Sequence, residues 1–105
     1  MSFADNLAEL PAVDHLSRID LVSGDSVVAS IENRPGSAGS VRLYAWLAQR
    51  YGGIDRAAAM EGLRLYAEHG EDARQHPGKH PNIDRLLAIA VGSEPLQVVA
   101  IPSGQ

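Results

Sequence analysis

Between Leu16 and Tyr51 the hydrophobic period of the chain changes once, from two to about 3.6, and it does so across a single glycine-serine loop. Ser17, Ile19 and Leu21 alternate with Leu16, Arg18, Asp20 and Val22. Ser23-Gly24-Asp25-Ser26 follows, and Gly24 suits the positive φ of a tight hairpin turn. The return strand, Val27 to Glu32, sets Val27, Ala29 and Ile31 on one face and Val28, Ser30 and Glu32 on the other. Beyond Arg34-Pro35-Gly36-Ser37-Ala38-Gly39-Ser40 the period is helical, with Ser40 as the expected N-cap. Val41, Tyr44, Leu47, Ala48 and Tyr51 form one stripe of this helix, and Leu43 and Trp46 a second. A hairpin feeding a helix that is apolar on two sides implies an antiparallel sheet with helices packed on one face.

The flanking segments fit that frame. Ser2 caps a short helix carrying Phe3, Leu7 and Leu10, which Pro11 ends, and which is expected to lie as a lid on the sheet. Gly52-Gly53 stops the Trp46 helix, and Asp55 caps another, with Ala59, Leu63, Tyr66 and Ala67 inward and Met60 alongside. Gly62 within it implies close approach of another backbone, since glycine there costs about 1 kcal/mol relative to alanine. Gly70 is expected to end or kink this helix, and Glu71 to Gln75 to form a polar turn. After the rigid loop His76-Pro77-Gly78-Lys79-His80-Pro81, Asn82 caps a last helix, Ile83 to Val91, apolar nearly all round. Leu96 to Ile101 reads as a third strand between Pro95 and Pro102. The expected fold is one α+β domain over residues 1–105, in the order α-β-β-α-α-α-β, its small sheet made of the hairpin and the C-terminal strand.

Composition removes several function classes. The net charge of −4 leaves no dense basic face, so no nucleic-acid partner is expected. The absence of cysteine excludes disulfides, thiol nucleophiles and cysteine-type zinc sites. The start, Met1-Ser2-Phe3-Ala4-Asp5-Asn6, lacks a basic region followed by an apolar core, and no apolar run approaches the roughly 20 residues of a membrane span. No membrane partner is expected, and the cytoplasm is the expected compartment.

Several segments together resemble a family of small bacterial proteins classed as a domain of unknown function. They are the start Met1–Leu7, the stretch Ile31–Ser40, Gly52-Gly53-Ile54-Asp55, and His76–Leu86. The resemblance covers roughly residues 1–90. It implies a small, stand-alone bacterial protein. The family has no assigned activity, so it lends no catalytic residue.

Three groups of residues are candidates for chemistry or binding. Gly36, Ser37, Gly39 and Ser40, flanked by Arg34 and Arg42, can aim backbone N–H groups at an anion, although the P-loop and dinucleotide fingerprints are both absent. The same loop also reads as a plain turn with a serine cap. His69, Asp72, His76 and His80 are imidazole and carboxylate donors of the kind that bind divalent metals, but without a His-Glu-x-x-His spacing. The pattern fits better a polar loop whose histidines are solvated or hydrogen-bond the backbone. Leu43, Trp46 and Leu87 mark apolar helix surface in excess of what a small sheet covers, which suggests a homodimer or a protein partner. No Gly-x-Ser-x-Gly elbow or other catalytic motif is present. The leading expectation is therefore a non-enzymatic, self-associating binding or accessory module without a cofactor. The alternative is a small metal-dependent or anion-binding enzyme using the histidine region or the Gly36–Ser40 loop.

Overall fold

A computed structural model describes residues 1–104 of the chain. The elements run α1 (Phe3–Ala8), β1 (Leu16–Ser23), β2 (Ser26–Glu32), α2 (Ala38–Tyr51), α3 (Arg56–Tyr66), α4 (Glu68–Gln75), α5 (Pro81–Ala90) and β3 (Gln97–Pro102). The expected α+β architecture is present. The three strands form one antiparallel sheet in the order β2-β1-β3, and α2 packs across all three.

Two bulges correct the simple alternation. One, between Leu21 and Val22 in the β1–β2 pairing, turns Val27 away from the core, where it is 59% exposed. The other, between Leu16 and Arg18 in the β1–β3 pairing, turns Leu16 inward beside Ile19 and Leu21. An extra residue on one strand shifts the side-chain parity beyond it, so the alternation changes face at each bulge. Away from the core, Asp20 accepts hydrogen bonds from Arg18 Nε at 3.0 Å and Ser30 Oγ at 2.7 Å.

The helical half contains one helix more than expected. α3 stops at Ala67, which has φ 53°, rather than at Gly70, and the segment expected as a polar turn is the helix α4. The change of direction at Ala67 puts Gly70 and Ala73 against the interior while the acidic and basic residues of α4 face water. Ala58, Ala59, Gly62, Leu65 and Tyr66 are the buried residues of α3, whereas Met60 is exposed. Gly62 does mark a close approach, but by side chains rather than backbone. A Cβ there would lie 2.7 Å from Leu86 Cδ1 and 2.8 Å from Leu47 Cδ1, so the glycine lets α2 and α5 close on α3.

α1 and the start of β3 are both tied to the rest of the fold by specific contacts. The Ser2 cap is part of a capping box with Asp5. α1 packs on α2 and α3 rather than lying on the sheet, and buried Asn6 donates from Nδ2 to the Leu65 carbonyl at 2.9 Å. The turn after α2 is stitched to the start of β3 by paired backbone bonds between Ile54 and Leu96. Among the described residues, no helix is long and apolar enough to cross a membrane.

Candidate functional site

Tyr66 closes α3 with its ring almost fully buried, at 3% exposure, and its hydroxyl 2.6 Å from Ser40 Oγ. Phe3 stacks on this ring, with centroids 5.0 Å apart, and meets His69 edge-on at 5.2 Å. Burial raises the Tyr66 phenol far above the ordinary tyrosine range, so at neutral pH it is a neutral hydroxyl. These side chains form the inner wall of a cleft of about 260 Å³. Its other walls are Gly36 before α2, His69 of α4, Lys79 and His80 of the following loop, and Pro81, Asn82 and Ile83 of α5.

The glycine-serine loop is arranged differently from the expected cradle. α2 begins three residues earlier than expected, at Ala38, because Ser37 and Ala38 donate their N–H groups to the Arg34 carbonyl. Ser37 donates its hydroxyl to the Glu32 carbonyl at 2.5 Å. Ser40 therefore sits inside the first turn and meets Tyr66 instead of capping. Gly39 faces α1, where a Cβ would meet Leu7 Cδ1 at 3.1 Å and Phe3 Cζ at 3.2 Å. Arg42 clamps the chain after α1, donating Nε to the carbonyls of Leu10 and Pro11 and Nη2 to that of Leu10. Of the residues expected to bind an anion, Gly36 and Ser40 line the cleft, while Arg34, Ser37, Gly39 and Arg42 do not.

The histidine cluster converges on Asp72. His80 Nε2 lies 2.6 Å from Asp72 Oδ2, so this nitrogen carries a proton and donates it. Lys79 Nζ is 2.9 Å from the same oxygen, and His76 Nδ1 is 3.2 Å from the other. The His80 hydrogen bond, followed by that of Lys79, holds the Asp72 carboxyl well below the usual carboxylate range. His69 stands apart from the carboxylate, its ring 5.9 Å from that of His80. Metal binding needs lone pairs converging at about 2 Å. Here an ammonium occupies the carboxylate, and the imidazole facing it presents a proton. Among the described residues, no group of three or more His, Asp or Glu is placed to hold a metal ion.

The mouth of α5 completes the cleft. Pro81 rather than Asn82 opens the helix, with His80 in the cap position but no side-chain cap bond. Asn82 is held from both ends: Tyr44 donates its hydroxyl to the Asn82 carbonyl at 2.5 Å, and Asn82 Oδ1 accepts from Arg85 at 2.9 Å. Asp84 accepts from Gly78 N at 2.9 Å and pins the His76–Pro81 loop. Lys79 and two histidines line the cleft, and among the described residues no carboxylate does. Residues of the first turns of α2 and α5 both line it, and this is the end of a helix where the dipole favours an anion. Phe3, Tyr66 and Lys79 were not among the expected site residues. Lys79, the only lysine of the chain and set between Gly78 and Pro81, is the one the sequence singles out.

The apolar surface expected on two helices is smaller than anticipated. Leu43 is 0% exposed and belongs to the core, which removes it from any interface. Trp46 is partly buried and lines a concavity of about 360 Å³ with Pro11, Val13, His15 and Ala100. Leu87 is partly buried and lines an open groove between α3 and α5.

The chain belongs to the DUF2322 family, described as an uncharacterized protein conserved in bacteria, and the match covers residues 3–100. It runs through most of β3, beyond the residues that carried the resemblance. No curated protein and no solved structure matches the chain.

Proposed function

We propose that the protein is a binding module whose cleft takes a small anionic molecule of the carboxylate or phosphate class. One observation carries this reading: two segments distant in sequence, at Gly36–Ser40 and His69–Ile83, face a single concavity that Lys79, His69 and His80 line, while Asp72, which pairs with Lys79 and His80, is not part of the lining. The protein as a whole is acidic, at −4, so a lining free of carboxylates among the described residues is a local departure from the average surface. A volume near 260 Å³ suits a compact ligand rather than a nucleotide or a peptide. Binding is favoured over turnover because the Ser40 hydroxyl is engaged with the Tyr66 phenol rather than an imidazole, which leaves it without a general base. Self-association plays no part in this reading, since Leu43 lies in the core and Trp46 is half-covered.

The test is an amide NMR titration with inorganic phosphate and, separately, with citrate. Expected are saturable shifts at Gly36, Ser40, His69 and Lys79–Ile83, lost in Lys79→Glu. The absence of shifts at these positions up to about 10 mM ligand, ten times a weak millimolar Kd, would refute the reading.

A further inference from the structure

Another concavity lies toward the other end of α5 and is built to a different rule. Along α3, Arg56, Met60, Leu63 and Arg64 recur at i, i+4, i+7 and i+8 and so share one face. Leu87, Ala90 and Val91 recur at i, i+3 and i+4 near the end of α5. Together they make an open groove with an apolar floor, in which Met60 is 55% and Val91 88% exposed. Adjoining exposed apolar side chains offer surface that a partner can cover.

The rim selects the partner. Arg56 stands at one end of the α3 face, and Arg64 stands at the other, with Arg74 of α4 also on the groove. Arg64 is neutralised by Glu61 through two contacts of 2.8 Å, and Arg74 lies 4.0 Å from Glu71. Arg56 has no ion-pair partner among the described residues, and it opens α3, where the helix dipole disfavours a cation. No contact within the described chain accounts for a guanidinium at that place. An external carboxylate would. Glu61 and Glu71 are already taken up by Arg64 and Arg74, so a second copy docked on a twofold axis would offer Arg56 no free carboxylate from this groove, and charge argues against self-pairing here.

We infer that the α3–α5 groove docks an amphipathic helix of a different protein, apolar along one stripe and bearing carboxylates at its edges. The span from Arg56 to Arg64 is about 12 Å at 1.5 Å per residue, which matches two turns of such a helix with anchors at i, i+4 and i+7.

The probe is a fluorescein-labelled helical peptide of about 15 residues, long enough to hold a helix, with leucines at that spacing and glutamates beside them. A control carries lysine at every glutamate. Fluorescence anisotropy is expected to show saturable binding of the acidic peptide, with shifted amides confined to α3, α5 and the end of α4. Binding is expected to weaken about tenfold in Arg56→Glu, in Met60→Glu and with the lysine peptide, the scale of a single interface hot spot. Lys79→Glu, in the cleft, is expected to leave it unchanged. Equal binding of the two peptides, or no binding of either, would overturn the inference. So would a dimer in sedimentation that Met60→Glu dissociates and the peptide displaces, because the occupant would then be a second copy. Circular dichroism of each variant confirms that a loss is not unfolding. Arg56 and Met60 are exposed, so both variants are expected to fold.

Discussion

The cleft and the groove share α5 as a wall, yet they are made from different layers of the molecule. The cleft is cut into the core: Tyr66 and Ile83, which line it, are buried, and its polar lining comes from Ser40 of α2, His69 of α4, Asn82 of α5 and the His76–Pro81 loop. The groove is laid on the surface, with exposed Arg56, Met60, Arg64 and Val91 around Leu63, Leu87 and Ala90, which pack on the outside of the core. Changing the cleft therefore disturbs the fold, whereas changing the groove changes little besides the surface. A binding site of the first kind is rigid and slow to diversify. One of the second kind can be altered residue by residue.

The sharpest way to break this contrast is a matched pair of truncations. Tyr66→Ala is expected to lose about 3–5 kcal/mol in urea unfolding, the usual cost of emptying a buried aromatic site. Met60→Ala is expected to stay within about 0.5 kcal/mol of the parent. Similar values for the two would mean the cleft wall is not part of the core.

A smaller effect is expected in alkali. Burial pushes the Tyr44 hydroxyl up to about 12 from an ordinary 10.0, with the Arg85 charge opposing the rise. A group whose folded value is raised stabilises fully below the unfolded value and loses that contribution as pH climbs through the folded one. Stability should therefore be flat below pH 10 and fall by roughly 2–3 kcal/mol toward pH 12 on account of Tyr44 alone. Tyr66, shifted in the same direction, steepens the fall. Tyr44→Phe should shallow the slope, and Met60→Ala should leave it unaltered. A Tyr44→Phe protein with the parent's slope would place the titrating groups elsewhere.

The smallest effect runs the other way. Arg56→Glu puts an acid into a first turn that has none, so it should raise stability by about 0.3–1 kcal/mol, read from the urea midpoint. A loss of stability would show that Arg56 already has a role inside the fold, which would weaken the contrast from the groove's side.

Local chemistry was legible in the chain wherever a feature depends on neighbours in sequence. The Ser2 capping box, the Asp55 cap accepting from Ala58 N at 2.8 Å, the positive φ of Gly24 and the stop at Gly52 all follow from a few adjacent residues. Features decided by distant contacts were not. α4 has a single apolar residue besides its glycine, Ala73, so its sequence carries no period, and its place is decided by packing against α3 and α5. Leu16 turns inward because β3 pairs across a bulge that hydrophobic alternation alone does not show. Ser40 was read as a cap from its place after Gly39. Its actual partner is Tyr66, twenty-six residues on. The cleft draws on α1, α2, α3, α4 and α5, and no stretch of sequence contains more than a fragment of it. The groove was half-visible: Leu87 was singled out, but Met60 was taken for an inward-facing neighbour of the stripe and is instead exposed.

The order of the sheet sets a timetable for synthesis. β1 lies in the middle, between β2, which follows it directly, and β3, which the ribosome reaches only after every helix from α2 to α5. While those helices emerge, one edge of the hairpin has no partner. An unpaired strand edge is a template for joining another chain. Closing it late, across a long loop of intervening chain, is the slow kind of step that leaves folding intermediates open to aggregation. A nascent chain stalled before Gln97 would hold its helices beside an open edge on β1, and would thus be a natural target for chaperones and proteases.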